Sequence, residues 1–260
     1  MALLETEGLT KDFGGLRAVH DLALRVEEGE IVGLIGPNGS GKTTVFNLIT
    51  GLYRATEGRI RFDHGRRELV GLAPHVVTGL GIARTFQNQR LFSHMTVLEN
   101  VLVGMHCRTR AGIATILLST PGSRRERRRA EARAAELLGL FGDRLLPRAA
   151  RPAWTLSYAN RRRLEIVRAL ATEPRLLLLD EPAAGMNPTE TRELMRDIER
   201  VRDRGVTILL IEHDMGVVRV ICERVVALDH GTKIAEGRFE EVRQNPAVLE
   251  AYLGRRAGRA

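Results

Sequence analysis

Ile31-Val32-Gly33-Leu34-Ile35-Gly36-Pro37-Asn38-Gly39-Ser40-Gly41-Lys42-Thr43-Thr44 decides the fold. Its first five residues are an unbroken apolar run, the pattern of a strand covered on both faces in a parallel sheet. Residues Gly36 to Thr43 match G-x-x-x-x-G-K-[ST], and Val45 to Ile49 suit a helix. Strand, glycine loop and helix in that order make an anion cradle. The glycines let backbone N–H groups converge without Cβ clashes, and the helix contributes the positive end of its dipole. Gly36, Pro37, Asn38, Gly39, Ser40, Gly41, Lys42, Thr43 and Thr44 are therefore expected to hold phosphates. Lys42 brings a point charge to the β- and γ-phosphates, and Thr43 brings a hydroxyl to Mg2+. A plain glycine turn is the competing reading, and the eight-residue match between a strand and a helix argues against it.

A second stretch, Leu176-Leu177-Leu178-Leu179-Asp180-Glu181, reads as a buried strand ending in two acids. Open α/β sheets bind ligands beyond the carboxyl ends of their strands, which is where these acids fall. Asp180 is placed to hold Mg2+ through water. Glu181, one residue further out, is placed to orient and deprotonate a water attacking the γ-phosphate. Acids at such a position also cap the following helix; beside a phosphate loop the catalytic reading is preferred.

Outward from these motifs, Leu22 to Val26 and Arg59 to Phe62 read as strands, as do Arg175 to Leu179 and Val206 to Ile211. Val225 to Leu228 and Lys233 to Ala235 form a strand pair across the turn Asp229-His230-Gly231-Thr232, and two short helices close the chain. Between Met95 and Arg151 the apolar residues recur at helical spacing, in Val97, Val101 and Val103 and again in Ala134, Leu137, Leu138 and Phe141. The expected organisation is one α/β unit: residues of about 1–94 and 162–260 form the core with a β subdomain, and about 95–161 form a helical subdomain.

Composition narrows the function classes. The chain has 260 residues, 43% hydrophobic and 28% charged, enough to bury a core and stay solvated. Cys107 and Cys222 stand far apart with no CxxC pair, so a disulfide framework or structural zinc site is excluded, and both are read as buried small hydrophobes. Acids in Met1-Ala2-Leu3-Leu4-Glu5-Thr6-Glu7 do not suit a signal peptide, and no apolar run approaches the ~18 residues of a membrane span. The formal net charge is +8, almost all from arginine, since lysine occurs only at positions 11, 42 and 233. The basic clusters Arg124 to Arg129 and Arg161-Arg162-Arg163 are read as solvated helix faces, with a contribution at an anionic membrane surface as the alternative. Nucleic acid is not expected as a partner, because the clusters lack interleaved aromatics and only 4% of the chain is aromatic.

Taken together, the chain resembles the ATP-binding subunits of ABC transporters over nearly its whole length. Further matches are Gln87 in Arg84-Thr85-Phe86-Gln87, His213 in Ile211-Glu212-His213-Asp214, and Phe13, where the family stacks an aromatic ring on adenine. The signature segment reads Leu156-Ser157-Tyr158-Ala159-Asn160, against Leu-Ser-Gly-Gly-Gln in the family and Leu-Ser-Tyr-Gly-Gln in its branched-chain amino-acid members. The resemblance implies a P-loop NTPase core of α/β class with an N-terminal antiparallel β subdomain and an inserted α-helical subdomain. It also implies ATP and Mg2+ as ligands, Glu181, His213 and Gln87 as catalytic, Gln87 with Thr43 and Asp180 near the metal, and Ser157, Ala159 and Asn160 on the nucleotide of an opposing subunit. Ala159 is expected to add a Cβ beside a phosphate and to strain any left-handed backbone, and Asn160 to shorten the reach.

Subfamily matches, Phe13-Gly14-Gly15-Leu16-Arg17-Ala18-Val19, Pro182-Ala183-Ala184-Gly185-Met186-Asn187-Pro188 and Ala251-Tyr252-Leu253-Gly254, are similar to the G-type ATPases of branched-chain amino-acid importers, as is the insertion through Thr120-Pro121. That resemblance implies a second ATPase subunit of F type, two permeases, an indirect extracytoplasmic solute receptor, and a place on the cytoplasmic face of the membrane. Urea or amide uptake, export, or a weakly hydrolysing regulatory subunit are alternatives. A DNA or ribosome ATPase would need long coiled-coil insertions or tandem cassettes, which 260 residues do not contain.

Overall fold

A computed structural model of the chain describes residues 2–87, 90–108 and 121–253. Its first element is β1 (Ala2–Phe13), a long strand on which Leu3, Leu4 and Leu9 are completely buried. The apolar pattern predicts a first strand only from Leu22, because Glu5, Thr6 and Glu7 interrupt that of β1 and hide it. β1 turns through Gly14-Gly15 into β2 (Leu16–Glu27) and pairs on its other side with β4 (Glu57–Phe62), which carries β5 (Arg67–Glu68). This antiparallel sheet has the order β2-β1-β4-β5.

The second sheet has the order β10-β9-β3-β8-β7-β6, built from β3 (Ile31–Ile35), β6 (Ile82–Arg84), β7 (Leu176–Asp180), β8 (Thr207–Ile211), β9 (Arg224–Asp229) and β10 (Thr232–Gly237). All neighbours are parallel except β9 and β10. Their hairpin turns on His230 and Gly231 with φ of 43° and 80°, both left-handed as a two-residue hairpin turn demands. β7 shows why the apolar runs are continuous. Leu177 and Leu179 enter the core under the helices, while Leu176 and Leu178 enter the one shared with the antiparallel sheet. At about 25 cal/mol per Å2 such two-sided burial is the main stabilisation of the sheet. Gly33 leaves room for the helix above β3, where an added Cβ would lie 2.9 Å from Cys222 Sγ.

The helices are α1 (Lys42–Ile49), α2 (Pro74–Gly79), α3 (Val97–Gly104), α4 (Pro121–Gly139), α5 (Tyr158–Leu170), α6 (Pro188–Asp203), α7 (Met215–Ile221), α8 (Phe239–Gln244) and α9 (Pro246–Leu253). α3 starts at a capping box in which Thr96 and Glu99 bond each other's backbone amides. Val97 and Val101 face the core with Ala134, Leu137, Leu138 and Phe141, while Val103 is exposed. The expected subdomain boundary near residue 161 falls inside α5. Residues 109–120, including Thr120, and Gly254 lie outside the described residues, so those parts of the insertion and of the terminal match have no structural account.

Two expectations are corrected. Arg162 and Arg163 are not a solvated face: each is 1% exposed, and Arg163 Nε pairs with the buried Asp197 at 2.8 Å. The apolar positions of α5 are interspersed with these arginines, so charge counting misreads a helix buried on most of its circumference. Cys107 is exposed, because it follows the end of α3 in a short 3-10 turn, whereas Cys222 is largely enclosed.

Candidate ATP-binding and hydrolytic site

The phosphate loop joins β3 to α1. Gly36, Gly39 and Gly41 have φ of 147°, 82° and 100°. A Cβ on Gly36 would lie 2.1 Å from the Leu228 carbonyl, and one on Gly41 2.6 Å from that of Ala18. Gly36 and Gly41 are thus required both by backbone conformation and by the packing of the loop against β9 and β2, and Gly39 by conformation alone. Gly41 stands at the α1 N-cap and has no side chain to cap it, which leaves the first amides for an anion. Lys42 is 6% exposed, and its ammonium bonds the carbonyls of Gly36 at 2.6 Å and Pro37 at 2.8 Å. Burial holds its pKa below the ordinary lysine value, opposed by the charges of Glu181 and Asp180. The lysine therefore lies in the electrostatic reach of both acids, as the phosphate reading requires.

Asp180 ends β7, and its Oδ2 pairs with Arg84 at 2.8 Å, both side chains being almost fully enclosed. Arg84 also donates to Asn47 on α1 at 2.6 Å and lies over the rings of Phe46 and Phe86. Arg84 is a residue to which the sequence assigns no role: it sits on the three-residue strand β6, too short to show a pattern. It fixes Asp180 against α1.

Glu181 follows with φ of 49°, a left-handed conformation that costs a non-glycine residue of order 1–3 kcal/mol. Its amide bonds the Ile211 carbonyl at 2.9 Å, tying the turn to β8. Its two carboxylate oxygens meet two predicted partners: Oε1 lies 2.5 Å from His213 Nε2, and Oε2 accepts from Gln87 Nε2 at 3.3 Å. Glu212, 4% exposed, accepts the amides of Ala183 at 2.8 Å and His213 at 3.1 Å, so it fixes the turn that presents the histidine. Burial pushes the Glu212 carboxyl up, and its backbone donors pull it down.

Phe13 is 41% exposed and edge-on to Tyr53, with ring centroids 5.2 Å apart and the Lys11 ammonium over its face. It is a surface ring available for stacking, not a core phenylalanine. Tyr252, noted only as part of a terminal match, reaches the phosphate loop from α9: a hydrogen bond from the Gly36 backbone pulls its hydroxyl pKa down, while burial pushes it up more strongly.

Ser157, Ala159 and Asn160 open α5, and their bonds stay there. Ser157 Oγ accepts the Asn160 amide at 3.4 Å as N-cap, and Asn160 Oδ1 accepts from Arg163 at 3.4 Å. Among the described residues neither side chain bonds residues 36–44. Ala159 corrects an expectation: it is helical, absent from the left-handed residues, and 2% exposed, so its methyl packs inward and carries no backbone penalty.

Mg2+ prefers one or two protein carboxylates completed by substrate phosphates and water, not an all-protein cage. The donors here fit that habit: an exposed Thr43 hydroxyl and the one Asp180 oxygen outside the Arg84 pair, with Gln87 nearby on Glu181, and no cluster of three or more acidic, histidine or cysteine ligands among the described residues.

Loop, lysine and paired acids at the end of a buried parallel strand define a P-loop ATPase. Residues 19–184 match the family described as ABC transporter, and the chain belongs to that family as an ATP-hydrolysing cassette. Residues 232–258 match a family described as branched-chain amino acid ATP-binding cassette transporter. The chain is 49% identical to the high-affinity branched-chain amino acid transport ATP-binding protein LivG of Salmonella typhimurium, covering 97% of this chain and 98% of that one. It is similar in structure to a crystal structure of a nucleotide-free ATP-binding cassette from an ABC transporter, with a TM-score of 0.84, 32% identity, and coverage of 98% and 100%. A second neighbour, the ADP conformation of such a cassette, gives a TM-score of 0.83 at 32% identity, with coverage of 98% and 99%. The fold class of the sequence reading is borne out. No helix among the described residues is long and apolar enough to cross a membrane.

Proposed function

We propose that this chain is the motor subunit of an importer of branched-chain amino acids, peripheral to the cytoplasmic face of the membrane and working through two separate permeases. The observation that carries the catalytic part is the meeting of Gln87, Glu181 and His213 on one pair of carboxylate oxygens beside the phosphate loop. In this reading the loop amides and Lys42 hold the phosphates of ATP, and Phe13 stacks on the base. Mg2+, held by Thr43 and Asp180 with Gln87 close by, would neutralise charge on the β- and γ-phosphates. Glu181 takes the proton of the attacking water, and His213 and Gln87 fix the direction of its lone pair. Proton transfer of this kind contributes of order 100- to 10,000-fold.

The outward-facing signature supports a head-to-tail dimer in which Ser157 and the α5 amides meet the nucleotide held by a second, F-type ATPase. ATP then drives closure by binding the closed pair more tightly than the open one. A cleft of about 430 Å3 between the sheet and the helical subdomain, lined by Ala83, Arg84, Phe92, Val103 and Arg168 among others, offers the permeases an apolar seat next to the loop that carries Gln87. An extracytoplasmic receptor would deliver the solute.

The test is ATP turnover and leucine uptake in vesicles carrying the chain with its permeases and second ATPase. Turnover stimulated by receptor and leucine, and abolished by Glu181→Gln, is expected. Stimulation by urea or an amide but not by leucine would overturn the solute, and background turnover in the complete assembly would overturn the motor role.

A further inference from the structure

We propose that Arg162 is a positioning residue for Gln87, and that it makes the signature helix and the loop bearing Gln87 move as one body; this rests on the ATPase reading above. Arg162 is 1% exposed on α5, five residues beyond the N-cap Ser157. Its NH1 donates to the Phe86 carbonyl at 2.8 Å and to Glu165 Oε2 at 3.0 Å, and its NH2 donates to the Gln87 carbonyl at 3.1 Å. The Gln87 side chain in turn donates to Glu181 Oε2. Two bonded steps therefore separate Arg162 from the catalytic carboxylate.

The grip extends along one face of α5. Glu165 lies 3.5 Å from the Arg90 amide, and Arg168, a further turn on, donates to the Arg90 carbonyl and lies over the Phe92 ring. The loop is thus held on both sides of residues 88–89 by side chains spaced i, i+3 and i+6. A buried ion pair alone would need only Arg162 and Glu165. The planar fork of an arginine has donors left over, and here they bind successive carbonyls of the loop, which a lysine point charge cannot match in the same geometry.

The functional consequence follows from what sits at the two ends. Ser157, at the head of α5, serves the nucleotide bound by the opposing subunit, and Gln87 serves the nucleotide bound by its own chain. Arg162 fixes the separation between them. Displacement of the signature by the opposing nucleotide is then transmitted to Gln87, so that each half of the chain reports on the other.

The experiment is a double-mutant cycle in the assembled transporter, with turnover and KM for ATP measured for Arg162→Lys, Gln87→Ala and the pair. Arg162→Lys is expected to lower kcat by roughly 10- to 100-fold with KM within about twofold, since a misplaced group costs rate without touching the phosphate loop. The pair is expected to be no worse than Gln87→Ala alone. Additive losses, an unchanged kcat, or a loss confined to KM would each overturn the proposal, because a purely structural arginine has no reason to act through Gln87. Should Arg162→Lys fail to fold, the double replacement Arg162→Met with Glu165→Leu removes the buried ion pair as a whole, so that neither of these two charges is left without the other, while the bonds to the 86–87 carbonyls are lost; the same cycle is then run on it, with the same outcomes deciding. Glu181→Gln in the same assembly is the control: if it does not abolish turnover, the ATPase reading has failed and not the role of Arg162.

Discussion

The phosphate-loop half of the site and the signature half are built by opposite means. In the first, residues from four separate segments converge: Lys42, Asp180 with Glu181, Gln87 and His213 are linked by hydrogen bonds or by charge within one chain. In the second, Ser157 and Asn160 make their bonds within their own helix, with Ser157 exposed and Asn160 half-buried. The first half is assembled within one chain, whereas the second faces outward, as the proposed head-to-tail dimer requires. The two departures in the signature segment, Ala159 and Asn160, fall in the outward half, where the cost is set by what the helix tolerates.

The largest effect expected from this contrast is at Glu181. Glu181→Gln keeps the shape of the turn and a partner for His213 but cannot take a proton, so turnover of the assembly should fall by roughly 100-fold or more while ATP binding by the chain persists. Equilibrium binding and steady-state turnover measured on one preparation check both parts. If binding fell together with turnover, the two halves would not be separable as described.

Next in size is Arg84. Removing it by Arg84→Met leaves Asp180 buried and unpaired, and breaking a buried pair costs about 3–5 kcal/mol. Denaturant unfolding should show a loss of this order. The double change Arg84→Met with Asp180→Leu should recover much of the stability while remaining inactive, which separates the structural part of Asp180 from its part at the metal. Recovery of activity would contradict the placement of Asp180.

How legible each half was in the sequence follows the same line. β3, the loop, α1 and the acids after β7 were legible because a buried parallel strand is a continuous apolar run and a phosphate cradle needs glycines at fixed spacing. The strands β1 and β6 were not: Glu5, Thr6 and Glu7 interrupt the first, and the second has three residues. The roles of Arg84, Arg162 and Arg163 were hidden for a different reason. Their partners, Asp180, the 86–87 carbonyls and Asp197, are distant in the chain, and no local pattern distinguishes a buried paired arginine from a solvated one. Gln87 and His213 were placed by family resemblance; each alone is an ordinary polar residue at a strand end.

A smaller effect tests the outward half. Because Ala159 is helical and its methyl is enclosed, Ala159→Gly should not restore turnover; it should cost about 0.5–1 kcal/mol in helix stability. Thermal unfolding and turnover of the assembly together decide this. A rise in turnover would mean that the methyl faces the opposing nucleotide after all, and the inward packing of Ala159 would be wrong.

The smallest change is chemical and uses the two cysteines as reporters of the two regions. Cys107 is exposed beyond α3, whereas Cys222 lies at the end of α7 against Gly33 of β3, where burial and the charges of Glu212 and Glu223 push its thiol up to about 12. The thiolate is the reactive form, so at pH 8 only about one Cys222 in 10,000 is ionised, and alkylation should stop at one label per chain. Raising the pH should increase labelling of Cys222 only as the solution approaches its pKa or as the sheet opens. Mass mapping after iodoacetamide at pH 8 checks it. A second label under native conditions would show that the packing of α7 on β3 opens readily, and with it the support beneath the phosphate loop.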